Sequence, residues 1–196
     1  MLKFNPVVLI MQPREIPEAI SSMQKYIKFP KVWFKGFTEM GVTEEINNFV
    51  RETEYTHYTI CADDVVLNEE VFVEIDKYAN AFLHSKGASR DVVTGWCNLN
   101  INHIDKSLGL ESNVAEKKLT LKNGHYPTPE DYRFSSLPDI FSRKGLIQTY
   151  LASFALSCIP RETLIEHPLS TYPNGQASDH KFSYEARVNG VRIWTT

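Results

Sequence analysis

The feature that most constrains the fold of this chain is a regular switching between two hydrophobic periods over residues 1–95. Residues 7–11 (VVLIM) form a short unbroken apolar run, and Ile16, Ile20, Met23 and Ile27 follow at spacings of four, three and four. The run suits a strand covered on both faces, and the spacing suits one buried face of a helix. The pattern then repeats. In 31–37, Val32, Phe34 and Gly36 alternate with Trp33, Lys35 and Phe37, after which Thr43 with Glu44 and Glu45 reads as the start of a helix carrying Ile46, Phe49 and Val50. Residues 58–61 read as a third strand. Asn68 with Glu69 and Glu70 caps a third helix whose inward face is Val71, Ile75, Tyr78 and Phe82, and 91–95 is a fourth strand after a stop at Gly87. Repeated strand–helix units imply an α/β fold with a mostly parallel central sheet, helices on both faces and right-handed crossovers.

The second half is less regular. Residues 105–136 are polar, with a hairpin signal at 118–124, where Asn123-Gly124 suits a type I′ turn, followed by Pro127 and Pro129. In 146–159, Ile147, Tyr150, Leu151, Phe154 and Cys158 fit helical spacing, whereas the aromatic content and Pro160 fit a buried strand; periodicity alone favours helix slightly. Pro173-Asn174-Gly175 marks a loop, Ser178-Asp179 caps a helix running to Arg187, Asn189-Gly190 ends it, and 191–194 closes the chain as a strand.

Composition excludes several classes. The 196 residues suffice for one domain with a real core, and a net charge of −3 gives no general attraction to nucleic acid. The apolar start is too short for a signal peptide or membrane span, so a cytoplasmic protein is expected. Cys61, Cys97 and Cys158 are widely spaced and read as buried free thiols, although Cys61 and Cys97 would be able to pair if they lay on neighbouring strands. Gly36 and Gly41 have P-loop spacing, but Val42-Thr43 stands where Lys-Ser/Thr is needed, which argues against an ATPase or GTPase. There is no GxGxxG, GxSxG or HExxH.

What remains is the segment 58–67 (YTICADDVVL), a buried-strand pattern ending on Asp63 and Asp64. Ligands of α/β sheets bind at the carboxyl ends of strands, and paired carboxylates offer hard oxygen ligands there. The structural alternative is that Asp64 or Asn68 merely caps the next helix and Asp63 is solvated.

The order of these elements, with 92–95 (VVTG) and the late 178–182 (SDHKF), resembles the GT-A type of glycosyltransferase and is similar to compact glycosyltransferases of crenarchaeal viral type. The resemblance runs from Val7 to Trp194. It includes 154–164 (FALSCIPRETL), which looks like the family's buried strand entering a helix with a basic-acidic pair, and on that ground 154–159 is expected to be strand. A single GT-A-like domain is implied, with 1–95 as the nucleotide-binding half and 96–196 as the acceptor half.

The resemblance also implies roles. Asp64 would ligate Mn²⁺ or Mg²⁺, with Asp63 beside it for the metal and the ribose or sugar hydroxyls. Gln12, Pro13, Arg14 and Lys35 lie where the family binds the nucleotide. Asp179 would be the general base on the acceptor hydroxyl, which implies inversion, and Gly95, Trp96 and His180 would meet the acceptor. Ala62 departs from the pattern, standing where the first aspartate of a DxD element is expected, and this loosens the implied metal dependence. Each role has a plainer alternative: Asp179 as a first-turn acid, His180 as a surface residue, Trp96 as core.

The implied partners are a nucleotide-diphosphate sugar and a glycan or protein acceptor, in the host cytoplasm if the protein is viral. Two rivals stand beside this reading. A sugar nucleotidyltransferase would share the acidic rim but normally carries a glycine-rich phosphate loop. A catalytically silent binding protein of the same fold would account for Ala62 and the short chain.

Overall fold

A computed structural model describes residues 3–12, 14–36, 38–97, 111–118, 131–175 and 177–196. A seven-stranded sheet forms its centre. β1 (Pro6–Met11), β2 (Lys31–Phe34) and β3 (His57–Ala62) are parallel, in the order β2-β1-β3. β8 (Leu156–Pro160) runs antiparallel between β3 and β4 (Val92–Thr94), and β9 (Ile193–Thr195) and β7 (Ile147–Thr149) complete the order β8-β4-β9-β7. Only β7 and β8 oppose the common direction, so the architecture is the mixed α/β, mostly parallel one expected of a GT-A-like domain.

Alternation along the strands explains the two cores. Val7, Leu9, Met11, Tyr58, Ile60, Val92 and Ile159 face one side, against Val42, Ile46 and Val50 of α2 (Glu39–Glu52), Leu164 of α5 (Arg161–Glu166), and Phe182 and Ala186 of α6 (Ser178–Val188). Val8, Ile10, Cys61, Val93 and Cys158 face the other, against Ala19 and Met23 of α1 (Pro17–Tyr26) and Phe72, Ile75 and Ala79 of α3 (Glu69–Leu83). A sheet covered twice needs strands apolar on both faces, which is why residues 7–11 lack alternation.

Asn68 caps α3 as expected, accepting from the backbone N–H groups of Glu70 and Val71. Two other helix starts require correction. α2 begins at Glu39, not Thr43: the Thr38 side chain accepts from the Gly41 N–H at 3.1 Å, and Thr43 lies buried inside the helix with its hydroxyl bonded back to the Met40 carbonyl. The early start also shortens the second strand, which ends at Phe34. Gly36 bridges the two, and a Cβ there would come within 2.4 Å of a Val42 methyl. In α6, Ser178 is the first helical residue and the cap position falls on Ala177 at φ 60°, so the expected Ser178 cap does not form.

In the second half, 154–159 contains the strand β8, and the helical reading of 146–159 fails because β7 and β8 are separate extended segments. β5 (Glu111–Lys118) and β6 (Tyr132–Ser136) pair antiparallel as a ribbon leading into α4 (Leu137–Ser142); the expected turn at Asn123-Gly124 lies outside the described residues. The ribbon joins the main sheet through Ala115, whose carbonyl accepts from the Tyr150 N–H at 2.8 Å. Among the described residues no helix is long and apolar enough to cross a membrane.

Burial at the start of β3 carries a pH consequence. His57 is fully buried against the Phe4 ring, and loss of solvation lowers its pKa from 6.5 to about 4. Because the unfolded state takes up the proton first, stability from the neutral ring is complete above pH 6.5 and is lost as pH falls towards 4, by roughly 3 kcal/mol. Urea midpoints at pH 7 and pH 4 should show this loss, and His57→Gln should flatten that part of the profile.

Candidate functional site

The carboxyl ends of β1 and β3, the start of β8 and the N-termini of α2 and α6 converge on a cavity of about 360 Å³. Its lining includes Met11, Arg14, Thr38, Glu39, Ala62, Asp63, Asp64, Phe154 and Asp179. Asp63 and Asp64, at the end of β3, thus share a cavity with Asp179, which α6 contributes from near the end of the chain. Thr38 and Glu39 enter because α2 starts early.

Arg14 organises the acidic pair. Its guanidinium lies 3.0 Å from Asp63 Oδ1 and 2.8 Å from Asp64 Oδ2, and its backbone N–H donates to Asp63 Oδ2 at 2.6 Å. The side chains differ sharply in exposure: Asp63 is 1% exposed, Asp64 47% and Arg14 57%. These bonds, that to Asp63 foremost, raise the arginine pKa above its ordinary value. Asp63 is therefore the anchor of the clasp, and Asp64 the carboxylate that meets solvent.

Glu39 was not singled out by sequence reasoning. Its carboxylate accepts from the N–H groups of Ala177 and Ser178, at 3.2 and 2.7 Å, and from the Ser178 hydroxyl, so it caps α6 from another helix. The local signal was present in Thr38-Glu39, a hydroxyl followed by an acid, but the partner lies far along the chain. Beside it Asp179 is half-buried, with Oδ1 accepting from the His180 N–H at 2.8 Å. Burial raises the pKa of Asp179, opposed by His180 and supported by the nearby Glu39 charge.

The remaining sequence-selected residues are spread more widely. Gln12 is buried with its N–H on the Phe34 carbonyl, and Lys35 is exposed, 3.5 Å from Glu15; neither is among the residues lining the cavity. Pro13 lies outside the described residues. Gly95 and Trp96 line a neighbouring cavity of about 430 Å³ with Val65, Val66, Asn68, Glu70 and Ala155. Ala155 borders both cavities. Asn113 fixes this loop, its side chain accepting from the Cys97 N–H and donating to the Gly95 carbonyl, and Trp96 packs edge-on against the exposed Phe141 at 5.2 Å. His180 is buried rather than on the surface, 5.5 Å from the Tyr132 ring, and is not among the residues lining either cavity.

All three cysteines are free thiols. Burial pushes Cys158 up to about 12 and Cys97 to about 11, and raises Cys61 as well, so they stay protonated near neutral pH.

Among the described residues no three His, Cys, Asp or Glu side chains cluster as a metal-binding group. Mg²⁺ and Mn²⁺ sites facing phosphates commonly use one or two carboxylates, with the substrate and water completing the shell. The Asp63–Asp64 pair matches that smaller donor set, and both carboxylates are engaged by the Arg14 guanidinium.

No protein-family model matches the chain, and no curated protein matches it in sequence. Among solved structures, A197 from STIV aligns at a TM-score of 0.61 and 16% identity, covering 98% of this chain and 81% of that one. The S. aureus TarS 1-349 structure aligns at 0.48 and 13% identity, and the bifunctional IspDF from Campylobacter jejuni at 0.42 and 9%; this chain spans 98% of its own length in both, and 58% and 49% of theirs. The likeness to A197 is one of fold.

Proposed function

We propose that the protein transfers a sugar from a nucleotide-diphosphate donor to an acceptor hydroxyl, with Asp179 as general base. The observation that carries this reading is the shared cavity of Asp63, Asp64 and Asp179 at the carboxyl edge of the sheet. A transferase needs a place for the departing diphosphate and a base close to the incoming hydroxyl, and this cavity offers candidates for both.

Asp64, with Asp63 behind it, would hold Mn²⁺ or Mg²⁺, and such an ion would offset the charge that builds on the leaving diphosphate. The cavity itself argues for a cation. Asp63 and Asp64 already hold the Arg14 guanidinium between them, so a diphosphate alone would meet a cation whose charge two carboxylates have offset. Arg14 would bind phosphate oxygens. Asp179, whose proton affinity is raised by burial, is suited to accept the hydroxyl proton as the acceptor attacks the anomeric carbon. The acceptor would lie across Ala155 in the cavity with Gly95 and Trp96, whose half-buried indole and its Phe141 neighbour offer a face for stacking.

A catalytically silent binding protein is the second reading, favoured by Ala62 at the DxD position and by the closure of both aspartates onto Arg14. Thermal shift decides the donor part. UDP or GDP with Mn²⁺ should raise the melting temperature, and Asp64→Asn should remove the metal-dependent increment. No shift with either nucleotide at millimolar concentration would overturn donor binding; a shift without sugar transfer would favour the silent protein.

A further inference from the structure

The geometry points to Arg14 as an exchanging cation. We propose that its guanidinium competes with the divalent ion for Asp63 and Asp64, and that it moves to the diphosphate oxygens when ion and nucleotide enter together. The inference rests on the donor-binding reading above and adds how that site is regulated.

Three observations on the clasp support the exchange. The guanidinium bridges the same two carboxylates that would ligate the ion, so metal and arginine cannot both hold them fully. Asp63, which is buried, is held twice, and its bond from the Arg14 backbone N–H does not depend on where the side chain goes. Release of the guanidinium therefore leaves no buried carboxylate without a donor, which would otherwise be the main cost. Finally, Arg14 and Asp64 are both about half exposed, so the mobile half of the clasp is the half that water can reach.

The charge inventory gives the exchange a direction. An ion arriving alone must displace a guanidinium already satisfied by two carboxylates. A diphosphate arriving alone finds that guanidinium occupied by Asp63 and Asp64. When both enter, the ion takes the carboxylates while the arginine, whose planar fork matches phosphate oxygens, takes the diphosphate. Each ligand relieves the obstacle to the other, so their binding is positively coupled.

The test is calorimetric titration of wild type, Arg14→Gln and Arg14→Lys with MnCl₂ alone, then with UDP and GDP in saturating Mn²⁺. Exchange requires a crossing pattern. Arg14→Gln should bind Mn²⁺ alone roughly fivefold tighter or more, as loss of a competing unit charge near contact implies, and the nucleotide roughly fivefold weaker or more. Arg14→Lys keeps the charge but loses the fork, so it should shift both constants in the same directions by less; it provides the reading if the glutamine variant does not fold. Unchanged or weaker Mn²⁺ binding in both variants, while wild type binds nucleotide with Mn²⁺, would overturn the exchange and leave donor binding standing. Failure of wild type to bind either ligand would overturn both.

Discussion

Asp179→Asn is expected to lower sugar-transfer turnover about a hundredfold or more while leaving nucleotide and metal binding nearly unchanged, since a general base acts on the acceptor proton and does not hold the diphosphate. Asparagine keeps the size of the side chain and its capacity to accept from the His180 N–H, so misfolding would not explain a rate effect of that size. The raised pKa of Asp179 adds a second readout. A carboxyl whose folded pKa lies above its unfolded value contributes stability that is complete below the unfolded pKa and lost as pH rises through the folded one. Above the ordinary carboxylate range this raised proton affinity costs stability, and Asp179→Asn should melt at or above the wild-type temperature although its turnover has collapsed. Normal turnover in the variant would place the base elsewhere and return Asp179 to the role of a first-turn acid.

The largest loss of stability is expected from Ile60→Ala. Ile60 is fully buried at the middle of β3, with β1 on one side and β8 on the other, and its side chain lies in the core beneath α2 and α6. Truncation there removes transfer energy and leaves a cavity that neighbouring strands cannot close, at a cost of roughly 2 to 5 kcal/mol. Val66→Ala is the control: Val66 is exposed, and its loss should change stability by about 0.5 kcal/mol or less. Urea midpoints of the two variants measure the contrast, and equal effects would contradict the placement of β3 at the centre of the sheet. Since Asp63 and Asp64 directly follow β3, the same comparison tests the support of the acidic rim.

The first half of the fold was legible because its signals are local. Unbroken apolar runs identify strands covered on both faces, and the spacing of Ile16, Ile20, Met23 and Ile27 identifies the helix between them. The helix starts were less legible because Thr38-Glu39 and Thr43-Glu44 are comparable cap signals in sequence. What separates them is tertiary: Glu39 reaches the N-terminus of α6, a partner more than a hundred residues away. β8 was ambiguous for a related reason. All five of its residues are buried, so its pattern carries neither the period of two nor that of 3.6, and only its insertion between β3 and β4 fixes it as strand.

At the site, Asp63 and Asp64 stood out by their place after a buried-strand pattern, whereas Arg14 and Asp179 were singled out only through the family resemblance; all four line one cavity. The unequal exposure of the two aspartates was not readable, because it depends on how the end of β3 packs in the folded chain. Nor was the location of His180, which packs on Tyr132 of the β5–β6 ribbon, an element with weak sequence signals of its own.

The proposed transfer requires the cavity at the ends of β1 and β3 to bind a nucleotide diphosphate. A crystal structure determined after soaking with UDP or GDP and Mn²⁺ tests it most directly. The expected result is diphosphate density beside Thr38 and Arg14, with the ion on Asp64 and the guanidinium turned from the aspartates to the phosphates. Nucleotide bound elsewhere, or no nucleotide at millimolar concentration with Arg14 still closed on Asp63 and Asp64, would contradict it.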